Sequence, residues 1–135
     1  MAAEYLLDTN ILIAALNGTS SPLLNRLAGF APSRLQLSPV VLGELLLGAE
    51  KSQRREAALS AVQELAESMA ALPFDADDAR SYAHIRAALE RKGNPIGSLD
   101  MLIAAQAVAR ELVLVTDNLR EFKRVPGLVC ENWLR

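Results

Sequence analysis

The sequence predicts an α/β/α sandwich built around a central parallel sheet. Short, continuous apolar runs, Tyr5-Leu6-Leu7 and Leu112-Val113-Leu114-Val115, lack the polar alternation of a half-exposed strand and read as buried strands. Longer stretches between them carry apolar residues three or four apart, the helical spacing. Strands and helices alternate along the chain, the arrangement that builds a parallel sheet with helices on both faces.

The first strand ends at Asp8, and Ile11, Leu12, Ala14, Ala15 and Leu16 then fit a helix that Asn17-Gly18 stops. Asp8 thus falls where a central strand turns into a helix, the place where open α/β sheets form ligand sites. Ser21-Pro22 predicts a second helix with Pro at its first position, running towards Gly29. Leu35-Gln36-Leu37 is the second strand. Ser38-Pro39 repeats the start signal, and a helix follows over 40–48. Leu59, Val62, Leu65, Ala66, Met69 and Leu72 predict a long helix over 52–71, and Leu72-Pro73-Phe74 a short edge strand, where Pro is tolerated.

Asp75 caps a predicted helix that reaches Arg91, with Ala79, Tyr82, Ala83 and Leu89 on its inner face and Lys92-Gly93-Asn94-Pro95 as its stop. Ser98 caps the next, 99–110, which is apolar almost all round and therefore central. After the strand at 112–115 come a short helix or turn over 119–123, a last strand at Leu128-Val129, and Trp133, which pins the C-terminus.

The 135 residues suit one domain, 1–135, and 51% hydrophobic residues with only 4% aromatics make its core aliphatic. Cys130 is the sole cysteine, so no internal disulfide and no Cys/His metal cluster is expected, which suits a reducing cytoplasm. No secretory signal and no membrane span is expected either, because acids interrupt the N-terminus and polar residues the longest uncharged stretch. The net charge of −2 argues mildly against a nucleic-acid binder. That argument weakens if acids gather in a metal pocket, since two divalent cations would shift the total to roughly +2.

Three carboxylates stand in apolar settings. Glu44 has Val40, Val41, Leu47 and Gly48 as its helical neighbours, and Asp100 has Ile96, Gly97, Ile103 and Ala104. Neither has a cation along its helix. Singly, Asp8 also reads as a helix cap and Asp100 as an acid stabilised by the helix dipole. Jointly, three acids without counter-ions need protonation, a distant partner or a metal. Oxygen ligands without His or Cys select a hard cation, Mg²⁺ or Mn²⁺.

Four segments in order then resemble the PIN-domain family, above all the VapC-type toxins of bacterial toxin–antitoxin pairs. They are Asp8-Thr9-Asn10; Ser38-Pro39 with Glu44; Ile96-Gly97-Ser98-Leu99-Asp100 through Ala105; and Val115-Thr116-Asp117-Asn118 with Glu121-Phe122. The tail from Phe122 through Val125-Pro126-Gly127-Leu128 to Trp133 fits as well, so the resemblance covers almost the whole chain.

The resemblance implies a Mg²⁺-dependent ribonuclease, a small VapB-type antitoxin partner and a homodimer. Asp8, Glu44 and Asp100 match the family's acids. The fourth position departs from it: the family often reads Thr-x-Asp, but the third residue here is Asn118, leaving Asp117 and Glu121 as candidates. Asp8, Glu44, Asp100 and Asp117 are the expected metal ligands, with Glu121 a further catalytic acid. Asn10, Thr116 and Asn118 are expected to hydrogen-bond those ligands.

Metal-activated water would then attack the phosphodiester in line, with Glu44 orienting it, to leave a 5′-phosphate and a 3′-hydroxyl. Arg86, Arg120, Lys123 and Arg124 are the candidate phosphate contacts, because they flank segments that carry the acids. His84 lies mid-helix and has no second histidine to work with, which removes paired-histidine cleavage.

A receiver-like domain needs an acid pair after its first strand, and a dehalogenase-type phosphatase needs Asp-x-Asp; Asp8 stands alone and Asn10 occupies the third place. The alternative that remains is a catalytically silent PIN-like module that binds an antitoxin or RNA. The incomplete fourth acid is its support.

Overall fold

The computed structural model describes residues 4–134. Strand β1 (Tyr5–Leu7) is followed by α1 (Thr9–Asn17) and α2 (Ser21–Ala28), and β2 (Leu35–Leu37) by α3 (Pro39–Glu50) and α4 (Arg55–Glu67). Then come β3 (Ala70–Ala71), α5 (Ala76–Arg91), α6 (Ser98–Ala109), β4 (Val113–Val115), α7 (Leu119–Phe122) and β5 (Val129–Glu131). The strands form one parallel sheet in the order β3-β2-β1-β4-β5, and helices flank it as the predicted α/β/α sandwich requires.

Strand β1 is central and fully buried, as its uniformly apolar sequence predicts. Leu6, Leu7, Leu114 and Val115 from the sheet meet Ile11, Leu12, Ile103, Ala104 and Ala105 from α1 and α6 in one core. Gly18 ends α1 in the left-handed conformation (φ 63°), which a side chain would strain, and returns its N–H to the Ala15 carbonyl. At the other end of the chain Trp133 is buried, stacked on Phe30 with centroids 5.1 Å apart and set edge-on to Tyr5 at 4.8 Å.

Several boundaries differ from expectation. Helix α4 is shorter than the predicted 52–71: the Arg54 N–H turns back to the Ser52 hydroxyl, and Ser68 Oγ donates to the Leu65 carbonyl to close the last turn. The edge strand is Ala70–Ala71 rather than 72–74, because pairing with Gln36 and Leu37 decides it and not local propensity. Ser20, not Ser21, caps α2, and Gly97, not Ser98, precedes α6. The last strand begins at Val129, one residue later than expected.

The inner face of α5 is rotated from the predicted one. Leu89 is buried as expected, but Ala79 and Ala83 are exposed, and Asp78 and Ile85 are buried in their place. Asp78 goes inside because Arg110, at the end of α6, follows it: Nη2 donates to Asp78 Oδ2 at 2.9 Å and to the Pro73 carbonyl at 2.9 Å. Buried Gln106 accepts a hydrogen bond from the Ser38 hydroxyl at its Oε1 and donates from Nε2 to the Pro73 carbonyl at 3.1 Å. Ser38 opens α3 and Gln106 sits on α6, so this network fixes the two helices relative to each other.

Burial works against ionisation of Asp78, but the Arg110 guanidinium and the Asp75 N–H outweigh it and hold its carboxyl below the ordinary 3.8. Its contribution to stability is therefore present above that value and lost as pH falls through the lower folded one. Arg110→Met should cost about 3 kcal/mol at pH 7 by urea denaturation, since it strands a buried carboxylate. The deficit should shrink as Asp78 protonates below pH 3.8; a deficit that does not change with pH would contradict the pairing.

Candidate active site

Parallel pairing sets Leu7 of β1 opposite Val115 of β4. The next residue of each strand, Asp8 and Thr116, therefore emerge side by side at the carboxyl edge of the sheet, both buried. Thr116 Oγ1 donates to Asp8 Oδ2 at 2.8 Å, and the Thr9 N–H donates to Asp8 Oδ1 at 2.8 Å. Asp8 thus caps α1 and faces the site at once.

Glu44 projects from the second turn of α3, and Thr9 Oγ1 donates to its Oε1 at 2.8 Å. Asp100 stands in the first turn of α6 behind Gly97, where a Cβ would come within 3.3 Å of Asp100 Oδ2. A side chain at 97 would make that carboxylate shift by a few tenths of an ångström. Glu121 is half-buried on α7 and accepts from Asn118 Nδ2 at 2.9 Å. The Asn118 N–H in turn donates to Thr116 Oγ1 at 3.0 Å. Asp117 is exposed, and no hydrogen bond or ion pair among the described residues reaches its carboxylate.

The acids act on one another. Burial first, then the charges of Asp8, Glu121 and Glu44 and a hydrogen bond shared with Glu121, push the Asp100 carboxyl up to about 6. Burial is also the largest effect on Asp8; bonds from Thr116 and Thr9 oppose it, Glu44 and Asp117 add to it, and the balance is upward. No ion pair among the described residues joins Asp8, Glu44, Asp100, Asp117 or Glu121 to a cation. Cys130, close enough to feel Asp8, is pushed up to about 11 mainly by burial and is no thiolate nucleophile at neutral pH.

Among the described residues, no three of these side chains already stand close enough to hold an ion between them. Glu44 is turned to Thr9 and Glu121 to Asn118. The donor chemistry nevertheless fits a divalent cation: hard carboxylate oxygens, mutual repulsion, and protons retained on Asp100 that a cation would displace.

The other expected residues fall as follows. Asn10 is exposed, and its side chain makes no hydrogen bond among the described residues; Thr9, which sequence reasoning passed over, is the residue that bonds an acid. Arg86 lies on α5, bound to the Tyr82 hydroxyl at 2.6 Å and to Glu90. Arg120 and Lys123 are exposed beside Glu121 without pairing to it, and Arg124 Nη1 donates to the Pro95 carbonyl at 3.1 Å. His84 is exposed on α5.

Comparison with known proteins matches the PIN domain model over residues 5–128. The chain is 38% identical over 130 residues to "Ribonuclease VapC2" of Rickettsia felis, covering 96% of this chain and 97% of that protein. It is 39% identical over 130 residues to the "tRNA(fMet)-specific endonuclease VapC" of Salmonella typhimurium, covering 96% and 98%. Among solved structures, DNA-bound VapBC from Salmonella typhimurium superposes with a TM-score of 0.92 at 39% identity, over 98% of this chain and 99% of that one. VapBC-1 from nontypeable Haemophilus influenzae superposes at 0.87 with 30% identity, over 97% and 98%.

A carboxyl whose folded pKa is raised to about 6 stabilises the fold below its ordinary 3.8 and loses that contribution as pH rises through 6. In metal-free protein at pH 7.5, Asp100→Asn should therefore raise stability by about 1 kcal/mol after solvent screening, a few degrees in thermal midpoint. The advantage should vanish below pH 4. Equal midpoints at pH 7.5 would show that Asp100 is not under repulsion.

Proposed function

The chain belongs to the PIN-domain family, and we propose that its acidic pocket is the active site of a divalent-metal-dependent endoribonuclease, the toxin of a VapBC-type toxin–antitoxin pair. One observation carries the reading: Asp8, Glu44 and Glu121 lie close enough to Asp100 at the carboxyl end of the sheet that, with burial the largest effect, their charges help push Asp100 up to about 6. A fold gains nothing from mutual carboxylate repulsion, whereas a cation site needs it. Mg²⁺ is the proposed ion, with Mn²⁺ able to replace it.

Asp8 and Asp100 are the proposed principal ligands, with Glu44 beside them and Asp117 or Glu121 in the fourth place. A divalent cation held by these carboxylates would supply an acidified water and neutralise charge on the scissile phosphate. The protein's own groups do the rest. Thr116 and the Thr9 N–H hold both oxygens of Asp8, so that its orientation does not depend on the ligand. Thr9 holds one oxygen of Glu44 and leaves the other to orient water for in-line attack on phosphorus. Attack breaks the bond to the 3′ oxygen and leaves a 3′-hydroxyl and a 5′-phosphate.

Arg120 and Lys123, exposed on the helix that carries Glu121, are the proposed phosphate contacts. Arg86 and Arg124 already have protein partners and contribute less. The relative named for tRNA(fMet) makes that RNA the first substrate to test.

The partner is a VapB-type antitoxin, as in the VapBC complexes that superpose on this chain. Its proposed seat is a groove of about 340 Å³ lined by Ile13, Leu16, Leu45, Ala49 and Val62, with Glu44 also on its wall. Exposed Ile13 and Leu16 are apolar surface that an amphipathic segment would cover. We also propose a homodimer. Among the described residues no helix is long and apolar enough to cross a membrane.

Asp8→Asn preserves size and the cap while removing a ligand charge. It should lower Mg²⁺-dependent cleavage of tRNA(fMet) at least 100-fold, with the circular dichroism spectrum unchanged. Retained cleavage in that variant would refute the proposed site. A catalytically silent module, the second reading, would show no cleavage in the wild type on any RNA.

A further inference from the structure

Two side-chain bonds set how α5 lies against α6. Near the start of α5, Asp78 Oδ2 accepts from Nη2 of Arg110, which follows α6, at 2.9 Å. Further along, Ser81 Oγ donates to the Ala105 carbonyl at 2.9 Å. Positions rise along α5 as they fall along α6, so the two helices run antiparallel. The last turn of α5, with Arg91 and the adjoining Lys92, therefore comes level with the first turn of α6, where Asp100 stands. The turn between them is tight. Gly93 takes a left-handed φ of 67°, and the Asn94 N–H returns to the Leu89 carbonyl at 2.9 Å. Even fully extended, the chain from Lys92 to Gly97 would span no more than about 18 Å.

Helix α7 closes on the same turn. Arg124 Nη1 donates to the Pro95 carbonyl at 3.1 Å, and Arg120 precedes Arg124 by about one helical turn. Arg91, Lys92, Arg120 and Lys123 are exposed, and none is in an ion pair among the described residues. The acids beside them in sequence are already engaged: Glu90 pairs with Arg86 at 3.4 Å, and Glu121 accepts from Asn118 at 2.9 Å. Unpaired cations from two helices thus gather around residues 93–95, in a chain whose net charge is −2. They flank a group of carboxylates that by itself repels a phosphate. No aromatic side chain is exposed among the described residues, so this surface offers charge without a platform for stacked bases.

We propose that Arg91 and Lys92, together with Arg120 and Lys123 across the 93–95 turn, form a basic rim that holds the RNA backbone beside the acidic pocket. The rim binds phosphate oxygens and leaves the bases unread. The Arg124–Pro95 bond keeps its two halves together. The inference rests on the ribonuclease reading above and adds the end of α5 to the substrate surface. Cations at the end of a helix also offset its dipole, so the test must separate that role from RNA binding.

The test is the affinity of fluorescein-labelled tRNA(fMet), and of a second tRNA of different sequence, read by fluorescence anisotropy over a range of KCl concentrations. Every protein carries Asp8→Asn, so that RNA is bound without being cut. The parent is compared with Arg91→Gln/Lys92→Gln and with Arg80→Gln, which removes a charge from the opposite end of α5. Thermal midpoints are measured in parallel. The double variant should bind both tRNAs about tenfold more weakly, and its slope of log affinity against log salt should flatten by about 1.5. Arg80→Gln should match the parent within about twofold.

Unchanged affinity and slope in the double variant would overturn the inference while parent binding stands. So would a loss confined to one tRNA, which would mean base reading, or an equal loss in Arg80→Gln, which would mean a bulk charge effect. A lower thermal midpoint with RNA binding intact would leave Arg91 and Lys92 as partners of the helix dipole and overturn it equally. Parent protein that binds neither tRNA would overturn the ribonuclease reading itself and the inference with it.

Discussion

The pairing of Leu7 with Val115 is the constraint on which the site depends. A parallel register places successive residues of two strands at one level, so Asp8 and Thr116 meet although 108 positions separate them. A slip of one residue would turn each side chain to the opposite face of the sheet. The Thr116 hydroxyl would then lose Asp8, and the bond from the Asn118 N–H would lose its anchor. Both strands are apolar and the sheet is covered on both faces, so a slip is opposed chiefly because it would leave the buried Asp8 carboxylate without its Thr116 donor.

Around that register, two polar ties place the helices that carry the other acids. The Ser38–Gln106 bond and the contacts of Gln106 and Arg110 with the Pro73 carbonyl fix α3 and α6. Their burial leaves no unpartnered side-chain polar atom among the described residues. The acidic pocket is the opposite case. Asp8, Glu44 and Glu121 have hydrogen-bond donors, no acid of the pocket has a cation among the described residues, and burial first, then mutual repulsion, raises Asp8 and Asp100. Strain of this sort is tolerable when the surrounding core is rigid, and the fully buried β1 with the buried face of α6 supplies that rigidity.

Much of this was legible in the residues themselves. Tyr5–Leu7 and the 112–115 run announce buried strands because no polar residue interrupts them, and Glu44 and Asp100 stand out because their helical neighbours are aliphatic. What could not be read depends on distant partners. Ala70–Ala71 carries no strand signal and becomes β3 only by pairing with β2. Asp78 looks like an outward charge until Arg110, 32 residues on, meets it. Thr9 looks like part of a cap until its hydroxyl reaches Glu44 across 35 positions. Asn118, a departure from the expected pattern, makes sense only beside Glu121.

The most direct test of the central claim is an anomalous-scattering map from crystals of this protein soaked in Mn²⁺ at neutral pH. The account predicts an anomalous peak at the carboxyl edge of the sheet, ligated by Asp8 and Asp100, with Glu44 and Glu121 turned towards it. A map with no peak there, or with the ion bound elsewhere while these acids keep their present bonds, would contradict it.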